Sequence, residues 1–248
     1  MSASAFVLAA QGPPPGDFGG GPGFGPMGGR GHGHPEQVVT GAPYSGTLTE
    51  QRQQTLPDGT QSSRQTVTKV YRDSEGRVRK EITRTGRTGG TQQFITLFDP
   101  VAGFQARLNP QKLTAEKHPL PPQKSSGDTP PAPPADEDRP QIKTEDLGTN
   151  TIEGQAVTGK RVTITVPAGQ AGNTDAAQIV REIWTSTALK VPVQVTSTDP
   201  HFGKSTTQLT GISQGEPDAA LFQIPSNYKV STSSGPHGFG GHGPAGEQ

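Results

Sequence analysis

The chain has 248 residues, 28% of them hydrophobic, and its 34 Gly and 25 Pro make up close to a quarter of it. So little apolar material fills one modest core and leaves low-complexity sequence beside it. The 22 basic residues balance the 22 acidic ones and there is no cysteine, which argues against a nucleic-acid partner and excludes disulfides, thiolate metal sites and a cysteine nucleophile.

In chain order, residues 1–10 carry a short apolar run, Ala5 to Ala10, that ends on small residues and runs into Gln11. This looks like the end of a secretory signal and implies a periplasmic or secreted protein. No stretch approaches the roughly 20 apolar residues needed to span a bilayer. Residues 11–43 are Gly/Pro-rich without hydrophobic period, so a disordered tail is expected there.

Residues 44–230 are expected to form a single β domain. "SGTLTEQRQQT" alternates and "LPDGT" turns. "QSSRQTVTKVYRD", "RVRKEITR", "TQQFITLFD" and "FQARLNP" follow as strands separated by short turns. Residues 117–141 are a Pro-rich, acidic insertion, expected to be disordered and to hang from one hairpin. Beyond it, "TEDLGTNTIEGQAVTGKRVTITVP" folds back at Glu153-Gly154, and Val162, Ile164 and Val166 share one strand face. "QIVREIWTS" and "KVPVQVTST" form a hairpin, and "KSTTQLTGISQ" is a strand. A short helical turn is expected at Pro217 to Leu221, after which "SNYKV" ends the fold. Residues 231–248 are a second disordered tail, rich in Gly and His.

The predicted fold class is therefore all-β with minor helix. Roughly nine strands in meander order make one antiparallel sheet, with one face wet and one packed. With little helix to cover it, the sheet curls into a half-barrel or open barrel.

No catalytic constellation is present. His32, His34, His237 and His242 lie in the tails, and His118 and His201 lie beside prolines without ligand spacing. No Gly-x-Ser-x-Gly elbow or phosphate-cradling loop occurs. The basic stretch Arg77, Arg79, Lys80, Arg84 and Arg87 fits a solvated sheet face. No cofactor, metal or catalytic residue is expected. What remains is apolar surface: a concave face carrying Phe94, Phe98, Phe104, Val162, Ile164, Val166, Trp184, Val193, Val195 and Leu209, able to hold a hydrophobic ligand. Trp184 and Ile183 must point to opposite sides of the sheet, so Trp184 either lines that face or covers the other.

The C-terminal block "REIWTSTALKVPVQVTSTDPHFGKSTTQLTGISQGEPDAALFQIPSNYKV" resembles the ending of the LolA-like lipoprotein-carrier superfamily. Trp184, Leu189, Pro192, Val195, Gly203, Leu209, Ile212, Leu221, Phe222, Pro225, Tyr228 and Val230 carry the resemblance. "VYRDSEGRVRKE" and "TLFDPVAGFQARLNP" look like the matching front half in uncharacterised exported proteins of soil bacteria. The resemblance implies a half-barrel in the bacterial envelope, with a lipid or lipidated protein as ligand. The alternative is a structural or interaction module whose Pro-rich segments bind an envelope protein.

Overall fold

The computed structural model describes residues 38–56, 58–85, 90–120, 140–169, 173–200 and 202–232. The signal-like segment, the remainder of both tails, residues 121–139, and all the histidines except His118 lie outside them.

The strands are β1 (Tyr44–Thr55), β2 (Gln61–Arg72), β3 (Val78–Thr85), β4 (Thr91–Asp99), β5 (Phe104–Asn109), β6 (Thr114–Pro119), β7 (Gln141–Ile152), β8 (Gln155–Val166), β9 (Ala177–Ser186), β10 (Pro192–Asp199), β11 (Gly203–Gln214) and β12 (Lys229–Thr232). One 3-10 turn, Ala219–Phe222, lies between β11 and β12. It starts after the expected Pro217 because Asp218 caps it, its side chain accepting from the Ala220 N–H.

All twelve strands share one sheet, in the order β12-β6-β5-β4-β3-β2-β1-β11-β10-β9-β8-β7. β1–β6 are one antiparallel meander and β7–β11 a second, and β1 pairs with β11 to join them. β12 and β7 are left as edges, so the half-barrel is open. The chain turns on repeated local chemistry. Asp99 Oδ1 accepts from the N–H groups of Val101 and Ala102, and Asp199 Oδ1 from that of Phe202.

Three expectations change. The Pro-rich insertion does not hang from one hairpin: β6 and β7, which flank it, stand ten positions apart in the sheet. At its ends, Lys117–Pro119 belong to β6 and Gln141 to β7. The ladder is not wholly antiparallel, since β12 pairs parallel with β6. And the folded part begins before Tyr44. Arg72 Nε and Nη2 donate to the Ala42 carbonyl at 3.0 and 2.6 Å, and the Gly41 N–H donates to Ser74 O at 2.9 Å. Gly76 makes this approach feasible. Its φ is +82°, and a Cβ there would come within 2.9 Å of Val38 Cγ1.

Directly paired residues point to the same side of a sheet, and sides alternate along each strand. Tracing the pairs gives two faces. On one, the Leu108 face, Ile95, Leu97, Phe104, Ala106, Leu108 and Ala115 form a buried cluster, with Ile224 and Tyr228 packed on it. The crossover from β11 to β12 thus covers the end of the β1–β6 meander. Arg79 Nη1 donates to Leu221 O at 2.9 Å, and the Arg77 guanidinium lies over the Phe222 ring. On the other, the Phe94 face, Tyr44, Val70, Val78, Leu189, Val191 and Leu209 form a second cluster, joined by Leu48, Phe98 and Ile212. Leu189 and Val191 come from the β9–β10 turn, which folds onto this face and is held where Arg72 Nη2 donates to Leu189 O. The expected division into one wet and one packed face is therefore corrected. Each face is packed where the chain's own connections fold over it, because among the described residues no long helix exists to cover either whole.

Candidate functional site: the Phe94 face

The ladder sorts the ten apolar residues expected to line one surface. Phe94 pairs with Ile82, Ile82 with Thr68, Thr68 with Leu48, and Leu48 with Leu209. Val195 faces Thr207 and Ile183, and Ile164 faces Ile179. Phe94, Phe98, Val162, Ile164, Val166, Val195 and Leu209 therefore share the Phe94 face. Phe104 and Trp184 lie on the opposite side, Phe104 in the buried cluster there. Val193 sits in the bulge between Pro192 and Gln194 and is 1% exposed.

Of the seven, Leu209 and Phe98 are used by the packed cluster. Phe94, Val162, Ile164, Val166 and Val195 are half-buried and belong to neither cluster. Ile82, Ile179 and Ile183 extend them across β3 and β9 on the same side. Ile82 and Ile179 were legible through the same alternation, but Ile82 stands singly among polar residues and Ile179 is followed directly by Val180. The one helical turn among the described residues lies beside Arg79, on the other face.

Trp184 has a different task. Its ring lies flat against Gly159 of the neighbouring strand, where a Cβ would meet it at 2.6 Å. An aromatic ring over a strand glycine shields bare backbone and fills the missing side chain's space. Next to it on that face, Arg161 donates twice to Glu182 Oε1, at 2.9 and 2.7 Å, and this hydrogen bonding raises the Arg161 pKa.

The Phe94 face is also cationic. Arg84 and Arg107 both stand over the Phe94 ring, at 5.1 and 4.7 Å from its centroid. Burial pushes the Arg84 guanidinium below its ordinary pKa; the Glu50 carboxylate opposes this, while Arg64 and Arg107 add to it. One cross-strand row on this face runs Val162–Arg181–Ser197–Ser205–Arg52–Arg64. The basic stretch seen in the sequence is split by alternation. Arg77 and Arg79 lie on the Leu108 face, paired with Asp73 and Glu81, while Lys80 and Arg84 lie on the Phe94 face. Arg87 is outside the described residues.

Among the described residues no group of three or more His, Asp or Glu could hold a metal ion. No helix among them is long and apolar enough to cross a membrane. The site can offer apolar contact and positive charge.

No family model and no curated protein matches the chain. Several solved structures do. The complex of MucA and MucB from Pseudomonas aeruginosa is 14% identical, with a TM-score of 0.40, over 78% of this chain and 59% of that one. The chain thus spans about three fifths of the MucB chains it matches. A LolA superfamily protein from Nitrosomonas europaea is 9% identical at a TM-score of 0.32, over 73% of this chain and 90% of that one. The lipoprotein LppX from Mycobacterium tuberculosis is 16% identical at 0.26, over 71% and 88%. The chain is similar in fold to LolA superfamily proteins, and at these scores the likeness carries no argument about ligand or partner.

Proposed function

We propose that the chain is an exported, non-enzymatic half-barrel protein of the bacterial envelope that binds a hydrophobic ligand, a lipid or a lipidated protein. The observation that carries this reading is the half-buried set Ile82, Phe94, Val162, Ile164, Val166, Ile179, Ile183 and Val195, on one face and outside both packed clusters. Fully covering one such side chain gains about 1.5–3 kcal/mol. These are already half covered, so about 1 kcal/mol each remains to be gained. All eight must be engaged to supply the about 8 kcal/mol of micromolar affinity, and the cost of association comes out of that gain. The signal-like Ala5 to Ala10 run supports export.

The test is titration of the full chain with the uncharged probe phenylnaphthylamine. Saturable enhancement of its emission is expected; no saturable binding removes the reading. The second reading, an envelope interaction module with a filled interior and partner-binding Pro-rich segments, is favoured by the β9–β10 turn. Its Leu189 and Val191 already occupy one end of the Phe94 face. A chain that ignores the probe, yet retains an envelope protein in a pull-down that depends on the Pro-rich segments, is that module.

A further inference from the structure

Resting on the lipid-binding reading, we infer that the ligand is an anionic amphiphile whose phosphate head is held by Arg52, Arg64 and Arg84 while its apolar tail lies on the aliphatic part of the Phe94 face. The face is graded along its strands. Leu48, Thr68, Ile82 and Phe94 form one cross-strand row. Same-side neighbours along a strand are about 7 Å apart. One such step on lies the row Glu50–Thr66–Arg84, and one further lies Arg52–Arg64. β1–β3 thus present three guanidinium groups on this side of these rows, and Glu50 is the carboxylate among them, 3.2 Å from Arg52.

Arg84 is half-buried with Arg64 and Arg107 as like charges and Glu50 as the opposing carboxylate, and burial is the main cause of its lowered pKa. A phosphate added there meets planar, multi-donor partners that suit its geometry. Val195 and Ile183 continue the Glu50–Arg84 row on the far side of Thr207. Head and tail positions therefore adjoin on one surface. A zwitterionic head would bring its own cation against these arginines and lose most of the gain.

The experiment uses the full chain loaded with phenylnaphthylamine and three competitors of equal acyl length, each below its micelle concentration: lysophosphatidylglycerol, lysophosphatidylcholine and a monoacylglycerol. Lysophosphatidylglycerol is expected to displace the probe at a concentration at least tenfold lower than the other two. Its advantage should shrink as salt rises. Arg64 is exposed, so Arg64→Glu leaves the fold intact by circular dichroism. That variant should move the lysophosphatidylglycerol curve to that of the monoacylglycerol, abolishing most of the advantage. Equal displacement by all three overturns the head-group assignment and leaves lipid binding standing. The same holds if inorganic phosphate alone displaces the probe as well as the lipid does, which would mean a free-anion site. A chain that never binds the probe removes both readings.

Discussion

Gly159 and Trp184 act as one unit. A tryptophan on an open sheet face needs a flat seat, and the strand beside it supplies one by omitting a side chain. The Cβ of an alanine at Gly159 would stand 2.6–2.8 Å from three ring carbons, well inside contact distance. Ring and strand must move apart, and such overpacking costs about 1–3 kcal/mol. Gly159→Ala is therefore expected to lower the urea midpoint and shift the emission of Trp184, the only tryptophan in the chain. An unchanged midpoint would mean that the ring does not rest there. Asp73 shows the same economy in polar form. It is 1% exposed, and it accepts from the Glu75 and Arg77 N–H groups and from Arg77 Nε, so the turn beside Gly76 carries its own partners.

At the scale of elements, strands with local turn signals were legible. Val162, Ile164 and Val166 alternate cleanly, and Asp99 and Asp199 mark their hairpins by residue type. β6 and β12 were not. "TAEKHP" has no apolar run and sits against a proline tract, and the four residues of β12 are all exposed. β12 is ordered by a partner distant in sequence, and β6 is held between that strand and its hairpin neighbour β5. The faces were legible within a strand but not across the sheet. Which of Phe94 and Phe104 shares a side with Val162 depends on every intervening register, including bulges at Ser45–Thr47 and Pro192–Gln194. The crossover carries a measurable share of stability. Phe222 is 4% exposed under Arg77. Phe222→Ala is expected to destabilise by about 3–5 kcal/mol in urea unfolding. The control Phe202→Ala, at a residue 59% exposed, should change stability by less than about 0.5 kcal/mol. Equal effects would show that the crossover does not cover the sheet.

At the scale of the molecule, the connection between the meanders tests the topology. β6 ends at Pro119 and β7 begins at Gln141, so residues 120–140, 21 in all, join strands ten steps apart. Ten steps of about 4.8 Å measure about 48 Å around the sheet, or about 30 Å straight across if it bends into a half circle. Twenty-one residues reach at most about 70 Å and six only about 21 Å. Length rather than composition is therefore what this segment must supply to the fold. Replacing its prolines and acidic residues by Gly and Ser at constant length is expected to leave the oligomeric state and circular dichroism of the chain unchanged. Cutting it to six residues should prevent one chain from closing its own sheet. The two meanders would then pair between molecules, β1 of one with β11 of another, giving a dimer or larger species by light scattering. A six-residue variant that folds with the unaltered chain's oligomeric state and spectrum would place β6 beside β7 and overturn the strand order, and with it the single continuous Phe94 face on which the proposed ligand binding rests.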